Sequence, residues 1–363
     1  MQNFSITSVF LSLLVFTSVS IFAASGEGQV DTQSKINDFI DHHLQDSYDY
    51  TFFSDGETNK HYGFSLPIIL IDNGLKVFSS SRFDHGTAVV EESGKYYKVY
   101  NSKIYETNAA GDINLGETGY PTNDRPLDFS ITKNVATMFF VGILLILAFG
   151  GLARQYKKRS VPIGFGRVLE PLVLYVRDEI AIPNIGEAKY KKYMSYLLTV
   201  FFFIWLINVL GMTPLGVNVT GNIAVTACLA LFTYFITQFS ANKDYWKHIF
   251  WMPGVPIVMK IILIPIEILG TLTKPFALMI RLFANITAGH VIVMGLVSLI
   301  FIGKNAAFDT PLSVFLTLFL FVIEILVTFL QAYIFTMLSA LFIGLAVEEH
   351  THKEVEAETN EII

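Results

Sequence analysis

The chain has 363 residues, 52% of them apolar and only 15% charged, with a mean hydropathy of +0.50 and a formal net charge of −6. Soluble domains carry about 25% charged residues, so an ordinary cytosolic enzyme is excluded, and without a basic face nucleic acid is not a partner. The single cysteine, Cys228, lies in an apolar run and rules out an intrachain disulfide or a cysteine-based zinc site.

Charge is spread unevenly. Residues 26–132 hold 8 Lys/Arg and 17 Asp/Glu, a net of −9, which leaves +3 for all the rest. An acidic polar head followed by an apolar body with basic flanks reads as a membrane protein with an extracytoplasmic domain. Ahead of the head, residues 9–24 form an apolar stretch closed by Ala23-Ala24-Ser25, the pattern of a cleavable export signal over 1–25. No Lys or Arg precedes it, and an uncleaved anchor helix would export the head equally well.

The head, 26–127, begins with Ile36, Phe39, Ile40 and Leu44 at helical spacing, which predicts one short helix over 33–46. Strand-like runs follow at 64–71, 75–79, 87–90 and 96–100, punctuated by Asp72-Asn73-Gly74 and Ser93-Gly94. A small β-rich domain is expected. His42 and His43 beside Asp41 lack a third ligand at a recognisable spacing, so they are assigned to a solvated helix face.

The membrane body, 128–350, opens with 19 uncharged residues at 135–153, long enough to cross a hydrocarbon core. Residues 154–192 hold nine Lys/Arg against four Asp/Glu. The positive-inside rule makes that loop cytoplasmic and puts the head outside. Within the loop, 168–182 has the alternation of an interfacial helix. The 50 residues from Tyr193 to Asn242 contain no Asp, Glu, Lys or Arg, and Gly211-Met212-Thr213-Pro214-Leu215-Gly216 divides them into helices near 193–212 and 222–241. Long helical regions near 256–303 and 311–347 follow, and the tail 351–363 is cytoplasmic. The expected fold is an all-α polytopic protein with about five crossings and an interfacial helix, carrying the β-rich head.

The last two spans contain charges that lipid disfavours. A charged side chain at a helix centre costs about 2.5–3.5 kcal/mol on insertion scales. Lys260, Glu267, Lys274 and Arg281 recur every seven residues and so share one face. Lys260 and Lys274 are read as snorkelling towards the interface, and Glu267 as either an interfacial pair or a channel wall. Arg281 is the deepest fixed charge, with Asn285 one turn away. A guanidinium stays protonated, so a mobile partner is the stronger reading. If the two spans form an antiparallel hairpin, Arg281 with Gln331 and His290 with Glu324 fall in one register within about a turn. Imidazole and carboxylate facing each other make a plausible proton relay. Nine residues place His290 about half a turn from Arg281, which implies two separate jobs.

The run Lys274-Pro275-Phe276-Ala277-Leu278-Met279-Ile280-Arg281-Leu282-Phe283-Ala284-Asn285, continuing to Gly289-His290, resembles subunit a of the F-type ATP synthase, as do Leu330-Gln331-Ala332 and the ending Glu348-Glu349-His350. The resemblance covers about 128–350. It implies a bacterial inner-membrane stator subunit, without cofactor or metal and not catalytic alone, beside the c-ring and b-type peripheral stalk subunits. It implies also that Arg281 faces the ring's proton-carrying carboxylate between two aqueous half-channels, with Asn285 and Gln331 as polar neighbours and Glu267 lining a channel. Many bacterial relatives carry an acid at the position of His290 and a histidine at that of Glu324, so the two types are exchanged here. The head exceeds the family's usual short N-terminal segment. A secondary ion-coupled transporter is the alternative, but it would show repeated halves with matching broken helices, and no such repeat is present. No Gly-x4-Gly-Lys-Ser/Thr loop occurs, so no nucleotide chemistry belongs to this chain.

Overall fold

A computed structural model describes residues 45–55, 60–117, 119–158, 161–213, 217–251, 256–302 and 306–348. The chain is a polytopic helical membrane protein with a small β-rich domain before its first span. The expected helix over 33–46, except for its last two residues, the His42–His43 pair and the export signal lie outside the described residues.

The head is built from short antiparallel strands. Strands β1 (Asp49–Asp55) and β2 (Lys60–Ser65) pair with each other. Strands β3 (Pro67–Ile71) and β4 (Leu75–Ser79) form a hairpin, and β8 (Leu127–Asp128) joins the other edge of β3. A 3₁₀ helix, Ser80–Gly86, leads to the third sheet, β5 (Val90–Glu92), β6 (Lys95–Tyr100) and β7 (Lys103–Thr107). The β5–β6 turn is the expected Ser93-Gly94, at φ 54° and 79°, the left-handed pair that a two-residue hairpin needs. The expected run at 87–90 begins instead at Val90, because the Thr87 and Ala88 amides close the end of the 3₁₀ helix on the Asp84 and Phe83 carbonyls. Ile68, Leu70, Phe78, Phe83, Val90, Tyr97 and Ile104 form the core.

One charge sits on the core side. Lys76 is 7% exposed, and its Nζ donates to the Tyr97 hydroxyl at 2.6 Å, which in turn donates to Asp72 at 2.7 Å. Lys95 also donates to Asp72, at 2.8 Å, and to Glu106, at 2.7 Å. Hydrogen bonds from Lys95 and Tyr97 hold the Asp72 carboxyl below the usual carboxylate range. Such a group contributes stability that is complete above that range and is lost as pH falls through the lowered value. We expect Tyr97→Phe to destabilise the head by about 1.5–3 kcal/mol, the worth of hydrogen bonds to charged groups. We expect Asp72→Asn to flatten the acid limb of its stability curve. Hydrogen exchange of the β3–β7 amides, measured against pH, checks both.

The head joins the membrane part without a slack linker. Leu127 and Asp128 pair with Ile71 and Leu70. Beyond them the Phe129 and Ile131 amides donate to the Ile69 and Pro67 carbonyls at 2.9 and 3.1 Å. Helix α1 (Lys133–Tyr156) starts there. Its first free N–H groups are met from the head: Lys133 N donates to the Ser47 carbonyl at 2.9 Å and Asn134 N to Asp46 Oδ1 at 3.1 Å. Burial pushes the Asp46 carboxyl up. The expected domain boundary after residue 127 falls inside β8.

Helix α2 (Phe165–Tyr175) runs through a π turn, Val176–Ala181, into the short α3 (Ile182–Ile185). Pro183 has no N–H and crowds the carbonyl four residues back, and the wide π turn just before it accommodates both. Then come α4 (Tyr190–Gly211), α5 (Ile223–Ser240), the short α6 (Lys243–Phe250), α7 (Ile257–Ile302) and α8 (Ala306–Val347). Five of these helices, α1, α4, α5, α7 and α8, are long and apolar enough to cross a membrane. Pro265 and Pro275 both lie within the continuous α7.

The described residues pack as two units. One holds the head and the start of α1, up to Val141, with 207–219 and 287–325, and the other holds 142–206, 220–286 and the chain from 326. In the second unit, the rings of Phe201, Phe202, Trp205 and Phe329 meet edge-on or tilted at 5.2–6.4 Å between centroids. The Tyr196 hydroxyl bonds Thr233 at 2.7 Å, and Thr233 lies 3.3 Å from Ser339 Oγ. Such hydroxyl contacts hold membrane helices together where hydrophobic burial cannot. A side chain on Gly344 would run into the Asn184 carbonyl, so this glycine lets α8 cross directly against α3.

Candidate functional site

Helix α7 buries a narrow stripe, Pro275, Leu278, Leu282 and Ile286, at intervals of three or four residues. Arg281 and Asn285 fall to one side of that stripe and are exposed. Among the described residues no ion pair or hydrogen bond reaches the Arg281 guanidinium. On α8, Gln331 is 1% exposed and accepts from Asn285 Nδ2 at 2.7 Å. Gln331 therefore pairs with Asn285, one turn beyond the Arg281 partnership that the simple register suggested. Among the described residues its own Nε2 has no partner, which leaves a buried donor at the Asn285 contact.

The lower part of the stripe separates into two kinds of residue. Lys260 Nζ stands 4.2 Å from the Trp251 ring centroid, and Lys274 Nζ stands 5.3 Å from that of Phe342. Each ammonium is thus paired with an aromatic face. Glu267 is half-buried on the same helix.

In the other unit, the relevant contact lies between Gly289 and Glu324. A Cβ built on Gly289 would stand 2.9 Å from Glu324 Oε1. The backbone of α7 thus approaches the carboxylate of α8 at van der Waals range, one residue from the expected His290 register. Glu324 is half-buried. The His290 side chain lies outside the described residues. Thr317 is buried in α8, and among the described residues its hydroxyl lacks a partner, as does that of Thr287 on α7.

Gly289 was not singled out by sequence reasoning. Its signal was a glycine inside a helix with no turn to justify it, where it costs about 1 kcal/mol relative to alanine. Among the described residues no three His, Cys, Asp or Glu side chains group closely enough to hold a metal ion.

Comparison with known proteins places these residues in a family setting. The family model described as ATP synthase A chain matches residues 135–344, more than half of the chain. A domain family of unknown function matches residues 39–129. A protein of Chlorobium phaeobacteroides named ATP synthase subunit a is 47% identical over 234 residues, covering 62% of this chain and 68% of its own length. Another of that name, from Myxococcus xanthus, is 44% identical over 246 residues, covering 64% and 80%. One from Prosthecochloris aestuarii, named ATP synthase subunit a 2, is 40% identical over 317 residues, covering 83% and 97%. That last alignment is too long to fit within the membrane part, so head sequence is shared with this relative.

Proposed function

The chain belongs to the ATP synthase subunit a family, and from that premise we propose that it carries protons to and from the c-ring through two aqueous half-channels. As a subunit of the membrane sector it serves ion transport coupled to ATP synthesis. The observation that carries the finer reading is Arg281: a permanent charge on an apolar helix, exposed, with no anionic partner among the described residues. A bilayer penalises such a charge by about 2.5–3.5 kcal/mol, so an anion outside this chain is needed to offset it. A carboxylate on the neighbouring ring meets that need.

In this mechanism a proton enters from outside past His290 and Glu324 and neutralises a ring carboxylate. The neutral site crosses lipid cheaply as the ring turns. When it reaches Arg281, the fixed charge favours the ionised form, and the proton leaves towards the cytoplasm. The same charge blocks direct leakage from one half-channel to the other. Asn285 and Gln331 hold the polar surface beside it, and Glu267 lines the inner route. Residues 1–25 export the acidic head, 26–127, to the periplasmic side of the inner membrane. The membrane part is 128–350, the tail 351–363 stays inside, and b-type stalk subunits hold the assembly still.

Gly289 supplies the test. Its missing side chain leaves room for the Glu324 carboxylate, so Gly289→Ala should displace that carboxylate without disturbing backbone. Passive proton conduction through membranes bearing the complex should fall several-fold while subunit levels hold. Unchanged conduction would remove Glu324 from the path.

A further inference from the structure

The sheet formed by β4, β3 and β8 presents one face to the core of the head and one outward. In antiparallel sheets directly paired residues point to the same side, and the register pairs Ile71 with both Leu75 and Leu127, Ile69 with Val77, and Pro67 with Ser79. Phe129, whose amide donates to the Ile69 carbonyl, continues that side. Leu75, Val77, Leu127 and Phe129 are 58–69% exposed, and Ile71 is 43% exposed. The outward face therefore holds six apolar side chains, with a proline and a serine at its border, and not one charge. A water-facing sheet normally alternates apolar inside with polar outside. Here the outward face is the one without charge, in a domain whose net charge is −9, while Lys76 lies on the core side.

We propose that this face rests on the outer leaflet of the bilayer, so that the head is a membrane-docked domain and does not stand free above the surface. Its position argues for lipid as the occupant. Phe129 precedes Lys133, the first residue of α1, by four residues, and four residues span at most about 14 Å. The junction has no slack, because Phe129 and Ile131 are hydrogen-bonded to β3 and Lys133 to Ser47. Helix α1 has 24 residues, about 36 Å at 1.5 Å each, against a hydrocarbon thickness of about 30 Å. Its outer end therefore emerges by only a few ångströms, and the sheet is fastened at the depth of the headgroups. The start of α1 is likewise apolar on its surface, where Phe139 and Phe140 are exposed. Aliphatic and phenyl groups without hydrogen-bonding partners suit the acyl boundary.

The test uses the whole complex reconstituted in liposomes, in a Cys228→Ala background. Single substitutions Leu75→Cys and Val77→Cys place a bimane label on the patch, and Glu91→Cys places one on exposed β5 of the other sheet. All three positions lie on the surface, so the fold is spared. Lipids carrying a nitroxide near the headgroup should quench positions 75 and 77 several-fold more than position 91, and aqueous iodide should do the reverse. Iodide quenching at 75 and 77 equal to that at 91 would put the face in water and overturn the proposal. Protection from both quenchers would overturn it too, since another protein segment would then be the cover.

Discussion

Membranes carrying Arg281→Ala are expected to make no ATP from a proton gradient and to pump no protons on hydrolysis, with the complex assembled at its normal level. Assembly should survive because Arg281 is exposed on α7 while Leu278, Leu282 and Ile286 do the packing. Removing a charge from an apolar helix also relieves the insertion cost. Function should fail because nothing then favours the ionised ring carboxylate where release must occur. Arg281→Lys should rescue poorly, since a lysine desolvated in this setting can lose its proton and lacks the planar fork of guanidinium. Synthesis in inverted vesicles, with subunit levels matched by immunoblot, reads both outcomes. Coupled synthesis by Arg281→Ala would overturn the proposed mechanism.

The exchanged pair carries the second large effect. Glu324→His sets two imidazoles in one register, and protonating both brings two cations together. His290→Glu sets two carboxylates there, and ionising both brings two anions together. Each single change should remove most proton-driven synthesis, because like charges at short range oppose the charge changes that a relay requires. His290→Glu with Glu324→His restores one acid and one imidazole, and a substantial part of the activity should return. A double variant no better than the worse single would mean that the two positions act independently. The close approach of the α7 backbone at Gly289 to Glu324 is the structural ground for expecting them to be coupled.

Much of the membrane part was legible because lipid imposes simple rules. Runs without charge marked the first three spans to within a few residues, and the seven-residue spacing put Arg281 and its neighbours on one helix. Hairpin register foresaw a partner for Gln331 but chose Arg281, one turn from the Asn285 that bonds it. Constant-sum pairing fixes register only to about a turn, and side-chain reach decides the rest. The head was less legible. Strand β7 was missed because its turn, Asn101-Ser102, adopts φ 46° and 57° without a glycine to announce it. Strand β8 was missed because two residues carry no periodicity, and its place is set by pairing with β3, more than fifty residues earlier. Gly344 and Gly289 were passed over for a different reason. A glycine needed for close approach looks, in one sequence, like any weak spot in a helix.

The junction between head and α1 has a mechanical meaning. Strand β8, the amides of Phe129 and Ile131 and the bonds from Lys133 and Asn134 leave no hinge at the outer end of the helix. A stator must absorb the reaction to every step of the rotor beside it. With a stiff coupling, any tilt of the outer end of α1 under that load passes directly into the head. The head is thus a pointer attached to a shaft, and a pair of labels on it would report the attitude of the first membrane helix during turnover.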